Sequence, residues 1–255
     1  MTRSRGITEG LDTHEASLST HQLTDFRSVN LFRMVAREVI PGTVIDVGAG
    51  GGGMVAWLLQ RGYDARGIDL SPTTAAAAQE FLRAQGLPPE RITNIGLQDL
   101  IDEGQTHDNV ISMDCIEHIE DDRTAFSQLV SLCRPGGRII VTVPALMAVF
   151  GARDEAMGHY RRYDRQTLSA LTDGQPVRID ALRYWNVLGV APTFVNQRLL
   201  GRAIDESFRY GKPGLGPRLL RRGLELWFRT VENRLRPPLG LTLLLSATRL
   251  PDGAS

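Results

Sequence analysis

Hydrophobic positions in this chain follow two alternating periods. Short aliphatic runs of strand length stand at 44–47, 64–69, 91–95, 108–113, 138–143, 177–185 and 240–250. Between most of them, apolar residues recur at helical spacing. Phe26, Val29, Phe32, Val35 and Ala36 mark one face of a helix over 26–39, with Asp25 placed to cap it and Pro41-Gly42 to end it. Met54, Val55, Trp57, Leu58 and Leu59 mark a second, and the alanine-rich stretch from Pro72 to Gln85 a third. Phe126, Leu129, Val130 and Cys133 give the stripe of a fourth over 123–133, and a short helix is expected over 165–171. Strands alternating with helices predict an α/β fold with a largely parallel sheet. The run from Gly240 to Leu250 is apolar on both faces, which suits an interior strand.

Three stretches depart from this rhythm. Residues 1–20 are polar and without period, as expected of a flexible N-terminal arm ahead of a single domain over 21–255. Residues 145–165 lack a period but concentrate Gly158-His159-Tyr160-Arg161-Arg162-Tyr163. The insertion 186–239 is too long for a hairpin loop. A helix is expected from Pro192 to Ile204, and another over 218–235, where Leu220, Leu224, Trp227, Val231 and Leu235 form an apolar stripe opposite several arginines. That insertion can serve as a lid, a homodimer surface, or a weak contact with an anionic membrane.

The candidate chemistry starts at the first strand. Val44-Ile45-Asp46-Val47 breaks into Gly48-Ala49-Gly50-Gly51-Gly52-Gly53, and a helix follows. Strand, glycine turn and helix make a nucleotide-binding opening, because glycine admits φ > 0 and lets a ligand approach the backbone. Two cofactor classes fit the turn. Gly48-x-Gly50-x-x-Gly53 matches the NAD(P) pattern of an oxidoreductase. Asp46-x-Gly48-x-Gly50-x-Gly52 matches the acidic turn of S-adenosylmethionine (AdoMet) enzymes. Asp46 favours the second: a carboxylate repels a pyrophosphate and attracts an ammonium group. Asp69 ends the second strand, close to the spacing of about 20 residues from the first glycine expected of a ribose-binding acid. Asp99-Leu100, after the third strand, offers an acid for the adenine amino group and an apolar neighbour for its ring. Asp114-Cys115-Ile116-Glu117-His118 follows the fourth strand, at the carboxyl edge where open α/β sheets bind ligands. His159 and His118 are the candidate catalytic bases. Glu117, Tyr160, Arg162 and Tyr163 are candidates for substrate contact. Asp114, Glu117 and His118 hint at a metal, but ligands so closely spaced on one loop rarely converge, so no metal is expected.

The whole sequence narrows the partners. It has 255 residues, 42% hydrophobic, with a formal net charge of zero. That is enough for one sizeable core, and it gives no field for nucleic acid. Cys115 and Cys133 are the only cysteines, which fits a reducing compartment. No secretory leader or membrane-spanning run is legible, so a cytoplasmic enzyme without stable membrane anchoring is expected. Lys212 is the only lysine, a bias that fits a GC-rich bacterial genome.

In order along the chain, Asp46-x-Gly48-x-Gly50-x-Gly52, Asp69, Asp99-Leu100, Asp108-Asn-Val-Ile…Cys115-Ile-Glu-His-Ile and Arg134-Pro-Gly-Gly resemble a class I AdoMet-dependent methyltransferase over roughly residues 40–145. Val143-Pro144-Ala145 with the Gly158–Tyr163 segment is similar to a bacterial small-molecule branch of that family (methyltransferase type 11/12-like). The resemblance implies a Rossmann-like seven-stranded mixed sheet, strand seven antiparallel between five and six, with helices on both faces. It also implies that Gly48, Gly50 and Gly52 line the methionine side of AdoMet, and that Leu70 and Leu100 flank the adenine. Asp114 and Cys115 would lie beneath the methionyl end. The expected activity is methyl transfer to an O, N or C atom of a small molecule. The alternatives are the oxidoreductase and a protein that binds AdoMet without methylating. The resemblance fixes no catalytic residue.

Overall fold

The computed structural model describes residues 23–196 and 215–251. Its elements in order are α1 (Phe26–Ala36), β1 (Thr43–Val47), α2 (Gly53–Leu59), β2 (Asp64–Asp69), α3 (Pro72–Ala84), β3 (Ile92–Asn94), α4 (Leu97–Asp102), β4 (His107–Met113), α5 (Asp122–Leu132), β5 (Cys133–Pro144), α6 (Ala152–Ala156), α7 (Arg165–Ser169), β6 (Val177–Trp185), α8 (Val190–Phe194), α9 (Leu215–Trp227) and β7 (Thr242–Arg249). The seven strands form one sheet in the order β3-β2-β1-β4-β5-β7-β6, with β7 antiparallel to both its neighbours. The order reverses between β1 and β4, and this switch point places the loops after both strands at the ligand-binding edge.

Alternation along the strands builds a core on each face. Val44, Ile111, Ile140 and Leu244 pack with Met34, Val35, Leu58, Ala78 and Phe228 on one side. Ile45, Val47, Val110, Val141 and Leu245 pack with Phe126, Leu129 and Leu168 on the other. These buried aliphatic side chains, each contributing about 1.5–3 kcal/mol, hold the sheet between its helical layers.

The expected strands and the helices up to α5 are present, with shifted ends. Asp25 caps α1 as expected, accepting from the Arg27 N–H at 3.0 Å. The helix stops at Ala36 rather than Val39, because the next N–H groups turn back on Met34 and Val35 and tighten the last turn. β5 begins at Cys133 and takes in Pro135-Gly136-Gly137, which were expected as a turn before it; the pairing with β4 shifts register between His107 and Asn109 to absorb them. The stretch 145–165, expected without regular structure, contains a single 3₁₀ turn (Met147–Val149) and α6.

The largest correction falls on the last helix. After Trp227 the chain winds into a π-turn over Phe228–Glu232. A π-turn adds a residue to the turn and rotates the buried face. Phe228, Glu232 and Asn233 are therefore buried, while Leu235, beyond the turn, is 58% exposed; Leu220, another member of the expected stripe but ahead of the turn, is 56% exposed. Phe228 stacks on Phe26 and Trp185 at 5.8 and 4.8 Å. Asn233 accepts from Trp185 Nε1 and donates to the Asn30 carbonyl, fastening this segment to α1 and β6. The expected arm 1–20 and most of the expected helix 192–204 lie outside the described residues, as do residues 197–214 of the insertion. None of the helices among the described residues is long and apolar enough to cross a membrane.

Candidate active site

The site begins where β1 ends. Gly48, Gly50 and Gly52 all take positive φ, at 72°, 51° and 76°. A Cβ on Gly48 would stand 2.4 Å from Cys115 Sγ, so the turn lies directly against the loop after β4. A Cβ on Gly50 would meet nothing within 4 Å, so the backbone there faces open space. Its N–H donates to Asp69 Oδ2 at 3.0 Å, and Ser71 N–H donates to Asp69 Oδ1 at 2.9 Å. These bonds fix the carboxylate beside the glycine turn. Leu70, 77% exposed, projects beyond it. Gly96 brings Leu70 and Asp99 together, since its Cβ position lies 3.0 Å from Asp99 Oδ2 and 3.6 Å from Leu70 Cδ1.

Asp46 is buried on β1, and its Oδ1 has no hydrogen-bond partner. Burial, with a contribution from the Asp69 charge, pushes its carboxyl up to about 8. A buried acceptor of this kind is costly unless a cation or donor meets it. Leu100 does not fulfil its expected role. Its side chain is buried in the second core, and its N–H is bonded to the Gly96 carbonyl at 3.1 Å. The helical phase of α4 turns Asp99 outward and Leu100 inward.

The loop after β4 forms the other wall. Asp114 has φ 48°, a strained conformation that aspartate tolerates better than most residues. It is exposed to solvent. The protein around its carboxyl raises it above the ordinary range, against the pull of Arg27, His159 and Arg162. Arg27 thus brings the first turn of α1 to the site, a role the sequence pattern does not signal. Burial, with the neighbouring Glu117 charge, pushes the Cys115 thiol up to about 12, so it stays protonated and unreactive. Glu117 is fully buried, and neither carboxylate oxygen has a hydrogen-bond partner. Burial and Asp114 raise it well above the ordinary carboxylate range.

The segment after β5 meets this loop. The Tyr160 N–H donates to the Glu117 carbonyl at 2.9 Å, and the rings of His118 and His159 pack edge-on with centroids 4.6 Å apart. Burial, and repulsion from His159, lower His118 to about 4, while a bond to the Met157 backbone opposes them. The organising group is Asp154, which sequence reasoning missed. It is buried and accepts from His159 Nδ1 at 3.0 Å, Arg162 Nε at 2.7 Å and the Gly151 N–H at 3.0 Å. Burial works to raise its carboxyl, but these bonds prevail and hold it below the ordinary range. Two expected substrate contacts are corrected here. Tyr163 is buried and donates its hydroxyl to Asp122 at 2.8 Å; Arg162 is committed to Asp154 and the Ala145 carbonyl. Both hold the segment in place rather than face the cleft. Tyr160 remains exposed. A separate cavity of about 400 Å³ lies at the far end of α2, bordered by Arg33, Trp57, Arg61 and Arg221, away from all these groups.

A family model described as a methyltransferase domain matches residues 45–141. That span runs from β1 through most of β5 and contains the glycine turn, Asp69, Asp99 and the Asp114–His118 loop. Together with the relatives below, this match indicates a class I AdoMet-dependent methyltransferase domain. Norajmaline N-methyltransferase of Rauvolfia serpentina is 31% identical over 103 residues, 40% of this chain and 35% of that protein. A ubiquinone biosynthesis O-methyltransferase of Rhizobium etli is 28% identical over 117 residues, 44% of this chain and 47% of that one. The matches thus span between about a third and a half of these relatives' length. In fold, the chain is similar to a Haloferax volcanii putative methyltransferase solved with the Trm112 activator, at TM-score 0.61 and 14% identity over 98% of this chain and 99% of that one. It is also similar to a geranyl diphosphate methyltransferase solved with AdoMet, at TM-score 0.56 and 14% identity over 86% and 84%. AdoMet is the cofactor of the family, and the residues of this methyltransferase fold fit it. Asp46 Oδ1 awaits a cation, Gly50 leaves space for a ligand, and Leu70 offers an apolar surface beside Asp69.

Proposed function

We propose that this chain transfers the methyl group of AdoMet to an O, N or C atom of a small-molecule acceptor. The observation that carries the reading is the unpartnered, buried Asp46 beside an open glycine turn and a fixed Asp69. Asp46 attracts the ammonium group of the cofactor. Gly48, Gly50 and Gly52 let the methionine portion lie on the backbone. Asp69 accepts from the ribose hydroxyls, and Leu70 and Asp99 hold the adenine by its face and its amino group. When bound, AdoMet supplies an electrophilic sulfonium methyl.

The remaining work of the protein is to align the acceptor at about 3–3.5 Å, which can supply about 7–11 kcal/mol. Asp114, Glu117, His118, His159 and Tyr160 face this task from the loops after β4 and β5. His118 and His159 face the acceptor's polar end. The N- and O-methyltransferases among the relatives support a small acceptor without selecting its reactive atom.

Calorimetric titration with S-adenosylhomocysteine tests the cofactor site. Binding in the micromolar range is expected. Asp69→Ala removes two charge-assisted hydrogen bonds to the ribose and weakens it at least tenfold, from about 1.5–3 kcal/mol for each bond lost. Binding of NADH in place of S-adenosylhomocysteine would overturn the reading. Release of S-adenosylhomocysteine from labelled AdoMet across a panel of acceptors then separates an enzyme from a protein that only binds.

A further inference from the structure

The carboxylate of Glu117 and the imidazoles of His118 and His159 converge, with one ligand atom of each inside 4.8 Å of the other two. We infer that they form a binding site for a borderline transition-metal cation of the Zn²⁺ class. The decisive observation is that the carboxyl where the two imidazoles converge is buried and has no hydrogen-bond partner. His159 Nδ1 is bonded to Asp154 at 3.0 Å, which leaves Nε2 as its ligand atom. The His118 ring is bonded to the Met157 backbone, which leaves its other nitrogen as an acceptor. Glu117 is fully buried, and neither oxygen has a donor. Two imidazoles therefore meet a buried carboxyl that has no hydrogen-bond partner of its own. The nearby Arg162 is held by Asp154 through Nε and by the Ala145 carbonyl through Nη1. Such an arrangement is unfavourable empty and favourable around a cation.

The donor set selects the metal. Two imidazoles and one carboxylate suit Zn²⁺ or Co²⁺ and not Mg²⁺, which prefers an all-oxygen shell. With bonds of about 2.0–2.2 Å, tetrahedral ligand atoms stand about 3.4 Å apart, so the three groups need to close by no more than about 1.4 Å. The Asp154 carboxylate behind His159 supplies the buried partner that metal-binding histidines usually have. Three protein ligands leave a coordination position open to water or to an oxygen of the acceptor. Its use by an acceptor hydroxyl rests on the methyl-transfer reading; the metal site itself does not. Ligands spaced closely on one loop do not converge by themselves. The fold completes the set with His159, from the segment after β5.

The test uses the full chain, stripped with a chelator and dialysed, then titrated with Zn²⁺ by calorimetry and with Co²⁺ by visible absorption. One metal per chain is expected, with the intense d–d bands of four- or five-coordinate Co²⁺. Glu117→Gln and His159→Gln each lose those bands and weaken Zn²⁺ binding at least a hundredfold. Asp154→Asn weakens it about 10–100-fold without removing a ligand. Should Glu117→Gln not fold, His118→Gln takes its place. A Co²⁺ spectrum like that of the aquo ion, or Zn²⁺ affinity unchanged in the variants, overturns the site. S-adenosylhomocysteine titrated into the metal-free protein reports the cofactor site separately, so failure of one reading is not mistaken for failure of the other.

Discussion

Asp46 couples the cofactor site to pH. Its carboxyl is held near 8 in the folded chain, far above the ordinary carboxylate value, by burial and by Asp69. The folded state therefore keeps a proton between about pH 4 and 8 that the unfolded chain releases, and this contribution to stability is lost as pH rises through that window. An ammonium group favours the carboxylate, so its binding below pH 8 must expel the proton. S-adenosylhomocysteine should bind more weakly as pH falls from 8 to 6, approaching tenfold per unit. Asp46→Asn should abolish that slope and flatten the pH dependence of melting, both measurable on one purified preparation. At this scale Asp46 and Asp69 were legible as candidates, because they stand at the ends of the first two strands, beside the glycine turn. Asp154 was not: its partners His159 and Arg162 lie five and eight residues on, in a segment with no period to show that they fold back on it.

The segment 145–165 shows how an element without regular structure becomes rigid. Asp154 draws in His159 and Arg162, while Asp122 on α5 takes the Tyr163 hydroxyl and the Arg161 guanidinium. Asp154→Ala strands the mostly buried Arg162 cation, so a loss of about 3–5 kcal/mol in urea unfolding is expected. Tyr163→Phe should cost about 1 kcal/mol and leave the KM for any acceptor unchanged. A raised KM at full stability would instead return Tyr163 to the substrate. The π-turn after α9 makes a second contrast. Phe228→Ala should cost about 3–5 kcal/mol, because the ring is buried between Phe26 and Trp185. Leu220→Ser and Leu235→Ser should shift stability by no more than about 0.5 kcal/mol. The heptad-like spacing of 220–235 predicted the reverse, since a period read from sequence assumes an unbroken α-helix. One extra residue in a turn invalidates it.

Over the whole molecule, alternation of strand and helix announced the parallel half of the sheet, and the doubly apolar run at 240–250 marked an interior strand. The order of the strands followed from family resemblance and not from periodicity. The part of the site proposed to meet the acceptor was the least legible. It joins Arg27 on α1, the loop after β4 and the segment after β5, regions far apart in sequence that share no local pattern.

The position of β7 bears on the order of events during synthesis. β6 has β7 as its sheet neighbour, and β5 meets β6 only through β7. While the chain emerges from its N-terminus, β1 to β5 can assemble as they appear, but β6 must wait, without a strand to pair with, for residues 242–249. The exposed edge of β5 is open throughout that interval. β7 is thus the strand that closes the sheet, and the nascent chain is most vulnerable to mispairing just before residues 242–249 appear.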